Sequence, residues 1–446
     1  MSRPRKEKSR PSNDMTLEIA EVAPGGDGVA IVTHQGERRA VFVRGAAPGD
    51  RIEARVDFGP RPARGQLRNV VGAGVDRVEP ACPHTMRCGG CNWMQIANDA
   101  QTRIHLEHLR AALPEAWREH PVESVRATSA LRYRTRARVH VRASGGRAIV
   151  GMHAPSSHEP IEVDACTVLH PTIERARLEL EPRFERAHGT GDVEIALGPP
   201  VENDDERGHV LSVRWSGALP GEVYARFERA LTPTGETGLR GASIVCGEAT
   251  RPAVIGDPTP WMAGADGSPL QLAVGGFAQA SEEGNLLLAR RVGELAASAL
   301  SSVPNAHIVE LYAGAGNFTV LLAPHGQLVA VESHAGACRA AQANLSARGL
   351  AGAKVVEADA STYALPKALH LLVLDPPRTG ARAVCEQVAG LRNPPRFLLY
   401  VSCDLATLGR DLHTLSPLYR PHTLEAFELF PQTSHLETVV LLERVR

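Results

Sequence analysis

A chain of 446 residues is longer than one hydrophobic core usually serves, so two or three domains are expected. Apolar residues at 43% and charged residues at 22% give a globular profile, and no apolar run approaches the roughly 20 residues of a membrane span. The start, MSRPRKEKSRPSND, lacks the apolar stretch of a secretory signal, so a cytoplasmic protein without membrane association is expected. The net charge of −1 hides an asymmetry: the first 150 residues are strongly basic and the remainder acidic. A polyanion partner for the first third follows, because nucleic-acid affinity is dominated by neutralised phosphates.

In chain order, residues 1–15 are polar and basic without periodicity and read as a disordered tail. From 16 to 72, short β-type runs alternate with turn signals such as Gly25–Gly28 and Pro48-Gly49-Asp50, the pattern of a small OB-type barrel. A cysteine- and glycine-rich stretch at 80–92 leads into a predicted helix, 98–113. A β-rich stretch then runs to about 270, with helical periodicity only around 172–187. From Gly284 helix and strand alternate, as in a parallel α/β sheet; the buried strands are predicted at 307–311, 328–332, 354–357, 371–375 and 397–402. The fold class is therefore α/β, with β-rich domains ahead of it. Arg132, Arg134, Arg136 and Arg138 alternate, and on one strand they would form a row facing phosphates.

Cys82, Cys88 and Cys91 stand in a C-x5-C-x2-C arrangement, with glycines at 89 and 90 letting the backbone wrap closely. Three thiolates ask for a fourth ligand, and Cys166 is the best candidate. Soft thiolates select zinc or an iron–sulfur centre, and spacing alone favours zinc.

Strand 307–311 runs into Tyr312-Ala313-Gly314-Ala315-Gly316-Asn317-Phe318 and then a helix, a nucleotide-type turn. Thr319 stands where a dinucleotide fold wants its third small residue, so the NAD fingerprint is incomplete. Glu332 ends the next strand, placed for a ribose diol. An adenosyl cofactor without phosphates, S-adenosylmethionine, fits best. Ligands of open parallel sheets bind at the carboxyl ends of the strands, where Asp375 and Cys403 also fall. Glu437 joins them if the last strand runs antiparallel. A cysteine nucleophile and a carboxylate base would then face one ligand.

With these motifs the chain resembles the RNA uracil-5-methyltransferases, most closely their 23S rRNA branch, over nearly its whole length. The resemblance implies three domains. They are a TRAM-type barrel at 16–72, an iron–sulfur domain at 80–270 whose helix 98–113 packs on the catalytic domain, and a Rossmann-like class I methyltransferase domain at 271–446. It assigns a [4Fe–4S] cluster to Cys82, Cys88, Cys91 and Cys166, in place of zinc. Phe277-Ala278-Gln279 matches an F-x-Q element, making Gln279 a cofactor contact together with Tyr312, Asn317, Glu332, Asp359 and Asp375. Ser402-Cys403-Asp404 matches the nucleophile segment at Cys403, and the FPQTSHLE segment matches the base at Glu437. Ser281, Ala313 and Leu405 stand where the family usually has Asn, Cys and Pro; none is a catalytic group.

The implied activity is methylation of uridine carbon 5 in RNA, with 23S rRNA as partner and the chain acting as a monomer. The alternatives are a tRNA methyltransferase of the same chemistry and a non-catalytic RNA-binding ribosome-assembly factor. Intact Cys403 and Glu437 argue against the second, since a pure binder needs neither.

Overall fold

The computed structural model describes residues 13–445 except Thr128, Ser156, His158, 201–206 and 232–237. Most of the tail expected at 1–15 lies outside the described residues. Its last three residues belong instead to the strand Asn13–Glu18, paired antiparallel with Arg51–Asp57. The chain divides into two compact units, residues 1–105 with 432–434, and residues 106–431 with 435–446.

The first unit holds a six-stranded sheet in the order Asn13–Glu18, Arg51–Asp57, Ala63–Gly72, Glu37–Val43, Gly28–His34 and Glu21–Val22. Alternation decides which face is buried. In Arg51–Asp57, Ile52, Ala54 and Val56 point inward and join Leu17, Ile19, Val41 and Val43, while Arg51, Glu53 and Arg55 face solvent. Asp50, fully buried, accepts from the backbone N–H of Ala47 at 2.6 Å and from Arg77 Nη2 at 2.6 Å. It also accepts from the N–H of Gly74 at 2.9 Å. A Cβ on Gly74 would lie 2.1 Å from the Pro48 carbonyl oxygen, so only glycine allows this approach. The cysteine-rich loop belongs to this unit, where Arg44 Nη2 donates to the carbonyls of Cys88 at 2.9 Å and Cys91 at 3.3 Å.

The second unit contains a seven-stranded sheet ordered Pro160–Glu162, Arg147–His153, Arg136–Ser144, His188–Leu197, His209–Ala218, Leu239–Cys246 and Ala253–Gly256. Its buried face packs Val139, Val193, Val213 and Trp215 against Ile173, Leu180, Phe184, Val223 and Phe227 from short helices. The arginine row does not form. Arg132 has φ +58°, Arg134 makes isolated bridges to Leu169 and Ser281, and the strand begins only at Arg136. The Arg136 guanidinium is taken up by Glu194 at 2.5 Å and by the Gly276 carbonyl, and Arg138 lies 3.7 Å from the same carboxylate.

The larger sheet runs Lys354–Glu357, Gly326–Glu332, Ala306–Leu311, Leu371–Leu374, Phe397–Ser402, Glu437–Arg444, Tyr419–Glu428 and Glu123–Arg126. The first five strands are parallel, and Glu437–Arg444 is antiparallel to Phe397–Ser402. Both faces of the central strands are covered, which is why they read as unbroken apolar runs. Leu288, Val292 and Leu295 of the helix Glu282–Leu300 cover one face. Val384, Val388, Leu408 and Leu412 cover the other, with Leu109 and Leu113 beside them. Glu123–Arg126, placed by the sequence in the central domain, pairs parallel with Tyr419–Glu428, and Arg126 Nε lies 2.8 Å from Glu428 Oε2. No described helix is long and apolar enough to cross a membrane.

Candidate active site

Parallel register brings the candidate residues to one edge. Leu311 pairs with Val331 and Leu374, and Leu374 with Tyr400, so Tyr312, Asp375 and Cys403 follow strand ends on the side where Glu332 ends its own strand. The antiparallel ladder reaches Ser402 opposite Thr438, so Cys403 and Glu437 are the next positions on the two segments. Motifs 34 residues apart become neighbours through this pairing.

The glycine turn depends on left-handed backbone at Tyr312 (φ +65°), Gly314 (φ +56°) and Gly316 (φ +87°). A non-glycine residue such as Tyr312 adopts that conformation at a cost of order 1–3 kcal/mol, borne where a loop is held for a ligand. Glu332 ties the turn together: Oε2 accepts from the Gly314 N–H at 3.0 Å, and Oε1 from the His334 N–H at 2.7 Å. Asn317 forms a reciprocal amide pair with Asn285, at 3.1 and 2.8 Å. Asn285 is buried on the helix that follows Ser281, whose hydroxyl caps that helix at the Gly284 N–H. Asp359 is exposed on the loop after Lys354–Glu357; its hydrogen bonds from Ser361 hold the carboxyl below its usual range.

The electrostatics are those of a sheet edge rich in buried acid. Burial raises Asp375 to about 7. Glu437, 4% exposed, is raised to about 8 by burial and then by Asp375, with the hydrogen bond from Gln279 and the charge of Arg378 opposing. Gln279 thus meets the candidate base in this structure. Glu310, inside the strand Ala306–Leu311, is raised to about 8 by burial although Thr319 Oγ1 donates to it at 2.6 Å. The Cys403 thiol is pushed up to about 12 by burial, Glu437 and Asp375, and Arg378 pulls the other way. Arg378 Nη2 lies 3.2 Å from His435 Nε2. Several partly protonated acids favour a cationic ligand, and a sulfonium is one.

Sequence reasoning missed Glu310, Asn285 and the part played by Arg378. Only Glu310 left a signal, as a lone acid in an apolar strand. The four candidate metal ligands, Cys82, Cys88, Cys91 and Cys166, are all partly buried. Among the described residues no group of three or more His, Cys, Asp or Glu is set to hold a metal ion, so the expected cluster is not shown.

Residues 282–445 match the family described as tRNA (Uracil-5-)-methyltransferase. The 23S rRNA (uracil(1939)-C(5))-methyltransferase RlmD of Halomonas elongata is 32% identical, the alignment covering 96% of this chain and 89% of the relative. The RlmD of Pseudomonas entomophila is 30% identical over 96% of this chain and 93% of its own length. The crystal structure of Pyrococcus abyssi tRNA (uracil-54, C5)-methyltransferase, in complex with S-adenosyl-L-homocysteine, superposes with a TM-score of 0.72. It is 20% identical and covers 96% of this chain and 100% of its own, a likeness of fold. With relatives at this identity over nearly the full length of both chains, the chain belongs to the RNA uracil-5-methyltransferase family, in its 23S rRNA branch.

Proposed function

We propose that this protein methylates carbon 5 of a uridine in 23S rRNA, using S-adenosylmethionine. The observation that carries the reading is that Cys403 and Glu437 stand one step beyond the Ser402–Thr438 pair, beside a glycine turn braced by Glu332. Carbon 5 of uracil is a poor nucleophile. Addition of Cys403 as the thiolate, its proton lost to solvent, to carbon 6 turns the ring into an enolate whose carbon 5 is nucleophilic. The bound cofactor supplies a methyl electrophile. Glu437, raised to about 8, is matched to accepting the carbon 5 proton near neutral pH, after which the cysteine leaves. Asp375 and Arg378 set the charge around the thiol. A residue of folded RNA must be flipped out to reach Cys403, at an unstacking cost of roughly a few kcal/mol.

The glycine turn, Glu332 and Asn317 form the cofactor site in this reading, with Asp359 at its outer side. The [4Fe–4S] assignment to Cys82, Cys88, Cys91 and Cys166 is part of the proposal. Its support is the all-thiol donor set and the Gly90 N–H donating to Cys88 Sγ at 3.3 Å. The chemistry proposed for Cys403 and Glu437 needs no cluster.

The test is methyl transfer from labelled cofactor to 23S rRNA and tRNA transcripts, with 5-methyluridine identified by mass spectrometry. Transfer to 23S rRNA is expected. Transfer to tRNA alone would move the substrate, and transfer to neither would overturn the reading.

A further inference from the structure

We propose that Asp411 is a positioning residue for methyl transfer: it locks the loop bearing Asp375 and Arg378 to the helix that follows Cys403, so that nucleophile, acid and guanidinium keep one arrangement. The proposal rests on the reading of Cys403 as nucleophile.

Asp411 lies in the helix Leu405–Leu415, which starts two residues after Cys403, and is fully buried. Its Oδ2 accepts from the Tyr400 hydroxyl at 2.7 Å and from the Ala381 N–H at 2.7 Å, and Oδ1 accepts from Arg410 Nε at 2.8 Å. Tyr400 belongs to the strand that ends before Cys403, and Ala381 closes the loop that starts at Asp375. Two further bonds run from the same helix to the same loop. Thr407 Oγ1 donates to the Arg378 carbonyl at 3.1 Å, and Arg410 Nη2 to the Thr379 carbonyl at 3.0 Å. Gly380, at φ +74°, lets the loop pass over the carboxylate; a Cβ there would lie 2.7 Å from Asp411 Oδ2.

Burying a carboxylate is costly, and packing alone would be met more cheaply by an apolar side chain. What the acid adds is a fixed acceptor for the loop's own N–H. Arg378 is the cation that opposes the acids around the Cys403 thiol, and its position depends on how this loop is held.

The test compares wild type with Asp411→Asn and with Thr407→Val, which removes the hydroxyl shared between the Arg378 carbonyl and Asp404 and leaves the Asp411 carboxylate in place. The first readout is the rate of Cys403 alkylation by iodoacetamide at pH 9, with Cys403→Ser giving the background of the other thiols. Moving Arg378 away should slow alkylation about three- to tenfold in Asp411→Asn, and less in Thr407→Val. The second readout is steady-state transfer: kcat should fall about tenfold or more, with the cofactor KM within about twofold. Wild-type alkylation and kcat in both variants, with only a lower melting temperature in Asp411→Asn, would reduce Asp411 to a structural residue and overturn the proposal. Should Asp411→Asn not fold, Thr407→Val decides on the same readouts. Were the wild type to methylate no RNA, the functional reading would fall, whereas alkylation would still report on the loop.

Discussion

Glu437→Gln is expected to stabilise the protein at alkaline pH while it stalls the reaction. In the folded chain the Glu437 carboxyl is raised from 4.5 to about 8, chiefly by burial and then by Asp375. The folded state therefore keeps a proton that the unfolded state releases near 4.5. The associated stability is fully present below about 4.5 and is lost as pH rises through about 8. A rise of that size corresponds to roughly 5 kcal/mol, an upper bound because the surrounding groups relax when the charge appears. Glutamine has no proton to lose and still offers an acceptor to Gln279. The variant should therefore match wild type near pH 5 and exceed it by about 2–5 kcal/mol at pH 9.

Urea unfolding at pH 5, 7 and 9, without RNA or cofactor, measures the difference. In the presence of both, cysteine addition and methyl transfer should proceed and proton removal should not. A covalent protein–RNA adduct that survives denaturing electrophoresis is the expected signature. A stability difference that does not change between pH 5 and 9 would refute the buried-acid argument, and normal turnover would refute the assignment of the base.

Cys403→Ala should abolish transfer and leave the affinity for S-adenosylhomocysteine unchanged by calorimetry, because the thiol acts on uracil; residual turnover above background would end its assignment. Glu332→Ala should weaken that affinity by about 1.5–3 kcal/mol, as expected for loss of a charged hydrogen-bond acceptor, and equal affinity would remove Glu332 from the cofactor site. Asp50→Ala should cost the first unit about 3–5 kcal/mol in thermal unfolding, since it leaves the Arg77 guanidinium without its buried partner. Anaerobically purified protein should contain about four irons per chain, and serine at Cys82, Cys88, Cys91 or Cys166 should lose them; stoichiometric zinc without iron would overturn the cluster.

The central strands were legible because both faces of a covered parallel sheet demand apolar side chains, so Leu371–Leu374 and Phe397–Ser402, buried throughout, stand where the sequence places them to within a residue. Cys403 and Glu437 were legible as motifs. Their adjacency was not: it follows from the last strand running antiparallel and from a register that sets Ser402 against Thr438. Local alternation misled at the arginine row, since the backbone at Arg132 turns left-handed and the Tyr133 hydroxyl is drawn to the Pro431 carbonyl, 298 residues away.

The short, polar Glu123–Arg126 carried no sign of belonging to the catalytic sheet, because an edge strand is chosen by the partner it meets rather than by its own pattern. The buried acids Glu310 and Asp411 show the same limit. A sequence reveals an acid among apolar neighbours, but whether it binds, braces or titrates depends on the Thr319 hydroxyl, the Tyr400 hydroxyl and the Ala381 N–H that only folding brings to it. Residue type and periodicity thus determined the sheet and the candidate site residues. Register and burial, which act between distant segments, decided which of them meet and in what protonation state.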